Sequence, residues 1–301
     1  MGGAAQFLAQ FFPLFLLGAL FGKLMEDSGS VEAIARFMTK TLGSGRAVLA
    51  VVLAGAIVTY GGVSLFVAFF VIAPMAKGLF KTADIPLRLM PAAIALGTMT
   101  FTMSALPGTP ALQNAIPMPF FGTTPFAAPG LGIIAAGIML AFGLWWLGRV
   151  EQAARRAGEG YGPVAGLERP IDDPLLRERA MIAGEFDTAE IPHAQRSDTS
   201  PGVLLALLPL VVVILVNLAM SVLVLPRLDT GFLAEEKWGA TSLSAVGGVW
   251  AVIVALLAAI ATLVALNYRR LPSLRESVDA GATASVFPAL SVASLVGFGA
   301  V

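Results

Sequence analysis

The chain contains no cysteine, which excludes disulfides, thiol chemistry and cysteine-based metal sites. It has one histidine, His193, so a histidine metal cluster is excluded as well. Charge is scarce. Asp, Glu, Lys and Arg make up 13% of the 301 residues, against about 25% in an ordinary globular domain. Strict apolar/polar alternation is missing, which excludes an outer-membrane barrel. Net charge is zero and no basic patch is interleaved with aromatics, so nucleic acid is not an expected partner. The apolar stretch 11–22 lacks a basic flank in front of it and does not read as a signal peptide. Also missing are His-Glu-x-x-His, a phosphate loop and any Cys/His cluster, so no enzyme is expected. Ser28, between Asp27 and Gly29, has no histidine partner and reads as a helix cap.

What is present is apolar surface. Hydrophobic residues make up 57% of the chain, against about 45–50% in globular proteins. A soluble fold with that balance could not cover itself with polar groups, so the sequence specifies an all-α integral membrane protein with several spans. Of the 38 charged residues, 17 fall in 149–198, while 47–76, 89–148, 199–226, 238–268 and 280–301 carry none. A charge at the bilayer centre costs about 2.5–3.5 kcal/mol on insertion scales, and lipid selects such runs.

With about 20 apolar residues per span, residues 7–22 form a short first span that can extend to 25. Residues 27–42 place Val31, Ile34, Ala35 and Met38 opposite Glu32, Arg36 and Lys40, the pattern of an amphipathic helix lying in the interface. Residues 47–76 are too long for one span and too short for two, with Tyr60-Gly61-Gly62 at the midpoint. That leaves a kinked span or a re-entrant hairpin with its tip at 60–64. In 89–121, Pro107-Gly108-Thr109-Pro110 cannot continue a helix, so this span is broken in mid-membrane. Ordinary spans follow at 128–147, 201–225 and 242–266. The segment 149–200 is a polar cytoplasmic linker with a short helix expected at 175–186. The organisation is an N-terminal transmembrane half (1–148), the linker, and the start of a second half (201–301).

Lys and Arg set the orientation. Loops 23–46, 77–88 and 269–279 carry four, three and three of them, which places all three in the cytoplasm. The stretch 47–76 must then enter and leave by one face, which favours the hairpin. Phe12-Pro13 followed by Leu20-Phe21-Gly22 is echoed by Phe287-Pro288 and Leu295-Val296-Gly297 at the same spacing. The two copies run in opposite directions, as in inverted-repeat transporters.

The polar groups left at mid-membrane are uncharged. Hydroxyls and amides of Tyr60, Ser64, Ser104, Thr109, Gln113 and Asn114 lie beside the unwound backbone of Gly61, Gly62 and Gly108. Thr59, Thr98, Thr100 and Thr102 are nearby, the last three as helix-packing residues. Half-helix N-termini present free N–H groups to a carboxylate, and hydroxyls grip further oxygens. A polyhydroxylated organic anion suits such a site. No metal or cofactor is expected, and no acid pair is visible inside a span, the carboxylates lying in loops or at span ends.

Thr59-Tyr60-Gly61-Gly62-Val63-Ser64 with Pro74, then Pro86-x-Arg88-Leu89, then Pro107-Gly108-Thr109-Pro110 with Gln113-Asn114, resembles the gluconate permease family of the ion-transporter superfamily. The resemblance covers 10–148 well and 200–301 loosely. It implies re-entrant hairpins paired with broken helices in inverted repeats, and inner-membrane uptake of gluconate or a related hydroxy acid. It also implies coupling to protons in preference to Na⁺. Di- or tricarboxylate carriers of the same superfamily are the alternative, as is a membrane scaffold recruiting partners through 149–200. The family pattern calls for a second hairpin and broken helix, which this sequence does not reach. It therefore reads as a fragment lacking parts of both ends, with a homodimer as one way to complete the site.

Overall fold

A computed structural model describes residues 2–63, 65–162, 200–238, 240–271 and 273–299. The expected helix at 175–186, most of the linker, His193 and Ser64 lie outside the described residues. Among those described, every regular element is helical, and five helices are long and apolar enough to cross a membrane.

Helix α1 (Gly2–Asp27) is one continuous helix that starts before the expected span and runs past it. Helix α2 (Ser30–Leu42) follows a tight turn in which the Ser28 hydroxyl donates to the Met25 carbonyl at 3.2 Å and lies 2.8 Å from Ser30 Oγ. Ser28 is thus tied back onto α1; Gly29, in the left-handed region, occupies the cap position of α2. The amphipathic pattern of α2 is real, but its apolar face is covered by protein and not by lipid. Val31, Ile34 and Ala35 are fully buried, against α3 (Ala47–Tyr60), α4 (Leu65–Thr82) and a later span, α10 (Val203–Ala219).

Helices α3 and α4 form the expected hairpin. Residues 44–49, at the start of α3, line one hollow with Thr82, Ala83 and Ile85 at the end of α4 and just beyond it, so both arms open at the same end. The 14 residues of α3 reach about 21 Å at 1.5 Å per residue, short of an about 30 Å hydrocarbon core. Gly62 at the tip has φ +96, a conformation that favours glycine.

The expected broken helix is broken more than once. It comprises α5 (Met90–Thr98), α6 (Phe101–Ser104), α7 (Leu112–Ala115) and α8 (Met118–Phe121), with 105–111 unwound between α6 and α7. Helices α3 and α5 cross so closely that a Cβ on Gly97 would strike the Val52 carbonyl oxygen. Helix α9 (Pro129–Arg156) runs nine residues beyond the expected span. Helix α10 continues through a wider π turn to Arg227, and α11 (Leu243–Asn267) and α12 (Leu274–Gly299) complete the set.

Helix α12 packs along the whole of α1 in antiparallel sense. Ser277 at its start meets Asp27 at the end of α1, and Gly297 near its end meets Ala4. The three cationic loops therefore gather at one end of the molecule. The hairpin enters from that end, and the broken helix packs beside it.

Candidate functional site

The hairpin tip meets the unwound segment of the broken helix. The Tyr60 hydroxyl donates to the Pro107 carbonyl at 2.8 Å, 47 residues away. Gly62 lies against Pro110, where a Cβ would come to 2.5 Å of Pro110 Cγ, and a Cβ on Gly61 would run into the Leu210 side chain of α10. Backbone groups freed at the break are met by protein. Gly108 N–H donates to the Pro125 carbonyl at 2.7 Å, and its own carbonyl accepts from Asn217 Nδ2 of α10 at 3.1 Å. Asn114 Nδ2 donates to the Thr109 carbonyl at 3.0 Å and to that of Pro125 at 3.3 Å. Thr109 is buried, and its hydroxyl accepts from Ala111 N–H at 3.3 Å.

One cavity of about 440 Å³ opens beside this junction, walled by α1, the hairpin tip, the broken helix and α12. That volume is in the usual range for small-molecule sites, about 300–1,000 Å³. Two of the sequence-derived site residues, Gly62 and Gln113, line it. Tyr60, Gly61, Gly108, Thr109 and Asn114 stand behind that wall and fix its shape through the bonds and contacts above. Ser104 is exposed, and its hydroxyl donates to the Thr100 carbonyl at 2.9 Å. Thr98, Thr100 and Thr102 all donate to carbonyls of α5, Thr100 and Thr102 from beyond its end, the arrangement of packing residues.

Two points differ from expectation. First, α7 is a single four-residue turn, so the macrodipole expected at the second half-helix is not there, since aligned peptide units must accumulate to build one. Second, charge does enter the helical bundle. Because α1 continues to Asp27, Lys23, Glu26 and Asp27 lie at i, i+3 and i+4 on one helical face. Their side chains are 6%, 11% and 0% exposed. Lys23 Nζ is 3.3 Å from Glu26 Oε2 and 3.2 Å from Asp27 Oδ1, and Asp27 Oδ2 accepts from Ser277 Oγ at 2.7 Å. Lys23 and Glu26 line the cavity opposite Gln113. The sequence signal was the spacing itself; reading the span as 7–22, extendable to 25, left Glu26 and Asp27 outside the helix and hid it. Asn217 and Asn267, fully buried in α10 and α11, were likewise missed.

Among the described residues no group of three or more His, Cys, Asp and Glu could hold a metal ion. The arrangement can hold a small anionic solute. Among the described residues it offers one ammonium, Lys23, beside the Glu26 carboxylate, a side-chain amide with no hydrogen bond of its own, Gln113, and two hydroxyl-bearing residues, Thr59 and Ser285, in a wall that is apolar elsewhere.

A helical hairpin docked on a broken helix among continuous spans defines a polytopic, all-α membrane protein with a solute-sized cavity at its irregular backbone. Residues 1–123, which hold the hairpin and the break, match the family of GntP family permeases. The chain is 37% identical over 302 residues to a Bacillus subtilis (strain 168) protein named "Uncharacterized transporter YxjC". That match covers 99% of this chain and 61% of the relative, so the chain spans about three fifths of the relative's length. No solved structure matches it.

Proposed function

We propose that this chain is part of a secondary active transporter that carries gluconate or a related small hydroxy-carboxylate across the cytoplasmic (inner) membrane together with a proton. The observation that carries the reading is the cavity. The tip of the hairpin and the unwound segment of the broken helix both face it, and it contains a single ammonium, Lys23. An ammonium gives a carboxylate its strongest partner in a low-dielectric site. Gln113 and Ser285 offer further hydrogen bonds to hydroxyls. Irregular backbone at membrane depth is tolerated where it lines a cavity, and there it marks transport sites. The match to a permease family and to a protein named as a transporter supports the same reading.

The test is uptake into proteoliposomes by the full-length protein, with labelled gluconate competed by glycerate, citrate and succinate. Gluconate and glycerate should compete, and an inward proton gradient should drive accumulation. Competition by citrate or succinate alone would replace the substrate class. A strict sodium requirement would remove the proton. Gln113→Leu should weaken uptake while the amount of protein in the membrane is unchanged.

A further inference from the structure

The cavity has a neighbour. A second hollow of about 380 Å³ lies between α1, α2 and α4, lined by Glu32, Arg36, Thr39 and Lys40 on one side and by Val71, Pro74 and Met75 on the other. It sits at the end of the molecule where the cationic loops gather. One residue lines both this hollow and the solute cavity, and that residue is Glu26.

The charges around Glu26 make its position chemically specific. Lys23 faces two carboxylates, Glu26 and Asp27, so these three side chains set two acidic groups against one ammonium. Asp27 is fully enclosed, lines neither hollow, and has one oxygen, Oδ1, that receives no hydrogen bond although Lys23 Nζ is 3.2 Å away. From α2, the groups sharing the outer hollow with Glu26 are Glu32, Arg36 and Lys40, with Arg36 paired to Glu32 at 2.6 Å. The lining residues of α4 carry no charge, and α12 contributes Ser277, which is bonded to Asp27. An organic anion entering beside Lys23 would add a further negative charge next to these two carboxylates. A proton arriving with it leaves the net charge as it was.

We propose that Glu26 is the group through which the coupled proton passes between the two hollows, and that its protonation releases Lys23 to bind the carboxylate of the solute. The step balances. A proton from water in the outer hollow forms an O–H bond on the Glu26 carboxylate. The Lys23–Glu26 ion pair becomes a neutral contact, and the ammonium, still beside Asp27, turns a donor to the incoming carboxylate. Loss of that proton to either hollow restores the pair and displaces the anion. This inference rests on the transport reading, and it locates the coupling on residues outside the hairpin and the broken helix.

Two measurements on the full-length protein test it, the first without any solute. Dicyclohexylcarbodiimide reacts with protonated carboxyls in apolar surroundings. Labelling of Glu26, mapped by peptide mass spectrometry, should rise as pH falls. Glu26 that stays unlabelled at every pH, or labels equally at all of them, would overturn the proposal. The second compares wild type with Glu26→Gln, at equal amounts in the membrane and equal melting temperature. The variant should lose accumulation of gluconate driven by a proton gradient, and its residual exchange should no longer vary with pH. Undiminished, gradient-driven accumulation by the variant would overturn the assignment of Glu26 and leave the transport reading standing. If wild type accumulates none of the test acids, it is the substrate reading that fails, and the labelling result decides Glu26 by itself.

Discussion

Gly62→Ala isolates the contact that joins the two irregular segments. At φ +96 an L-residue is strained, by about 1–2 kcal/mol in the left-handed region. The new methyl would also stand 2.5 Å from Pro110 Cγ, inside any real carbon–carbon contact. The proline ring is rigid and its chain segment is pinned by the bond between Tyr60 and the Pro107 carbonyl, so neither partner yields cheaply. Overpacking of this kind costs about 1–3 kcal/mol. The two effects together give about 2–5 kcal/mol, which at about 2–4 °C per kcal/mol is a fall in melting temperature on the order of 10 °C. The assay is aggregation-monitored melting of the detergent-solubilised protein, with uptake measured in parallel. Gly18→Ala is the control. Gly18 lines the same cavity, but its methyl would meet nothing within 4 Å, and the helix of α1 accepts alanine without strain. A Gly62→Ala protein that melts with wild type, or a Gly18→Ala protein that falls as far, would refute the account of the tip.

Gly97→Ala should lower the melting temperature, because its methyl would meet the Val52 backbone at the crossing of α3 and α5; the exposed Gly78→Ala, with nothing within 4 Å, should not. Since the chain has no cysteine, the double variant Ala4→Cys with Gly297→Cys should crosslink under mild oxidation, whereas Ala4→Cys with Gly281→Cys should not, because Gly281 lies against Leu20. At the loop end, Arg88 grips Glu159 through two bonds, Nε to Oε1 at 2.6 Å and Nη2 to Oε2 at 2.7 Å, and these hold the Glu159 carboxyl below its ordinary 4.5. A depressed folded value means that the contribution is fully present above the ordinary value and is lost as pH falls through the depressed one. Spin labels at Leu87 and Gly162 should therefore stay close above about pH 5 and separate in stronger acid. The separation should be absent if Glu159→Gln has already removed the pair.

The fold was legible where lipid imposes the rule. Charge-free runs located α9, α10 and α11, because a charged side chain in hydrocarbon is selected against residue by residue. The count of Lys and Arg in the loops was enough to favour a hairpin over a kinked span at 47–76, and Gly61-Gly62 marked its tip. Helix ends were less legible. Hydropathy falls where Lys23 begins, yet α1 continues to Asp27, because a buried charge that finds partners one turn away does not end a helix. That misreading hid the one charged cluster in the site. Pattern alone could not say what covers the apolar face of α2 either, since the helices that cover it are brought there by tertiary structure. Thr109, Gln113 and Asn114 of the broken segment lie close together, but their division into lining and bracing depends on where each side chain points. Gln113 and Asn114 are neighbours in sequence; one faces the cavity and the other holds two carbonyls.

The pairing of α1 with α12 gives the short sequence echo a geometric content. Gly281 faces Leu20 and Gly297 faces Ala4, so sixteen residues forward on α12 are sixteen residues back on α1. Counting seven from the first of these contacts brings Pro288 level with Pro13. These prolines are also equivalent in the echo, where Phe12-Pro13 matches Phe287-Pro288. Any antiparallel pair has one level at which the contact register and the sequence register cross, and here that level falls at the two prolines. Pro288 and Ser285 on α12 and Leu14 and Phe15 on α1 line the solute cavity around that level. The cavity therefore lies beside the level at which the two prolines face each other.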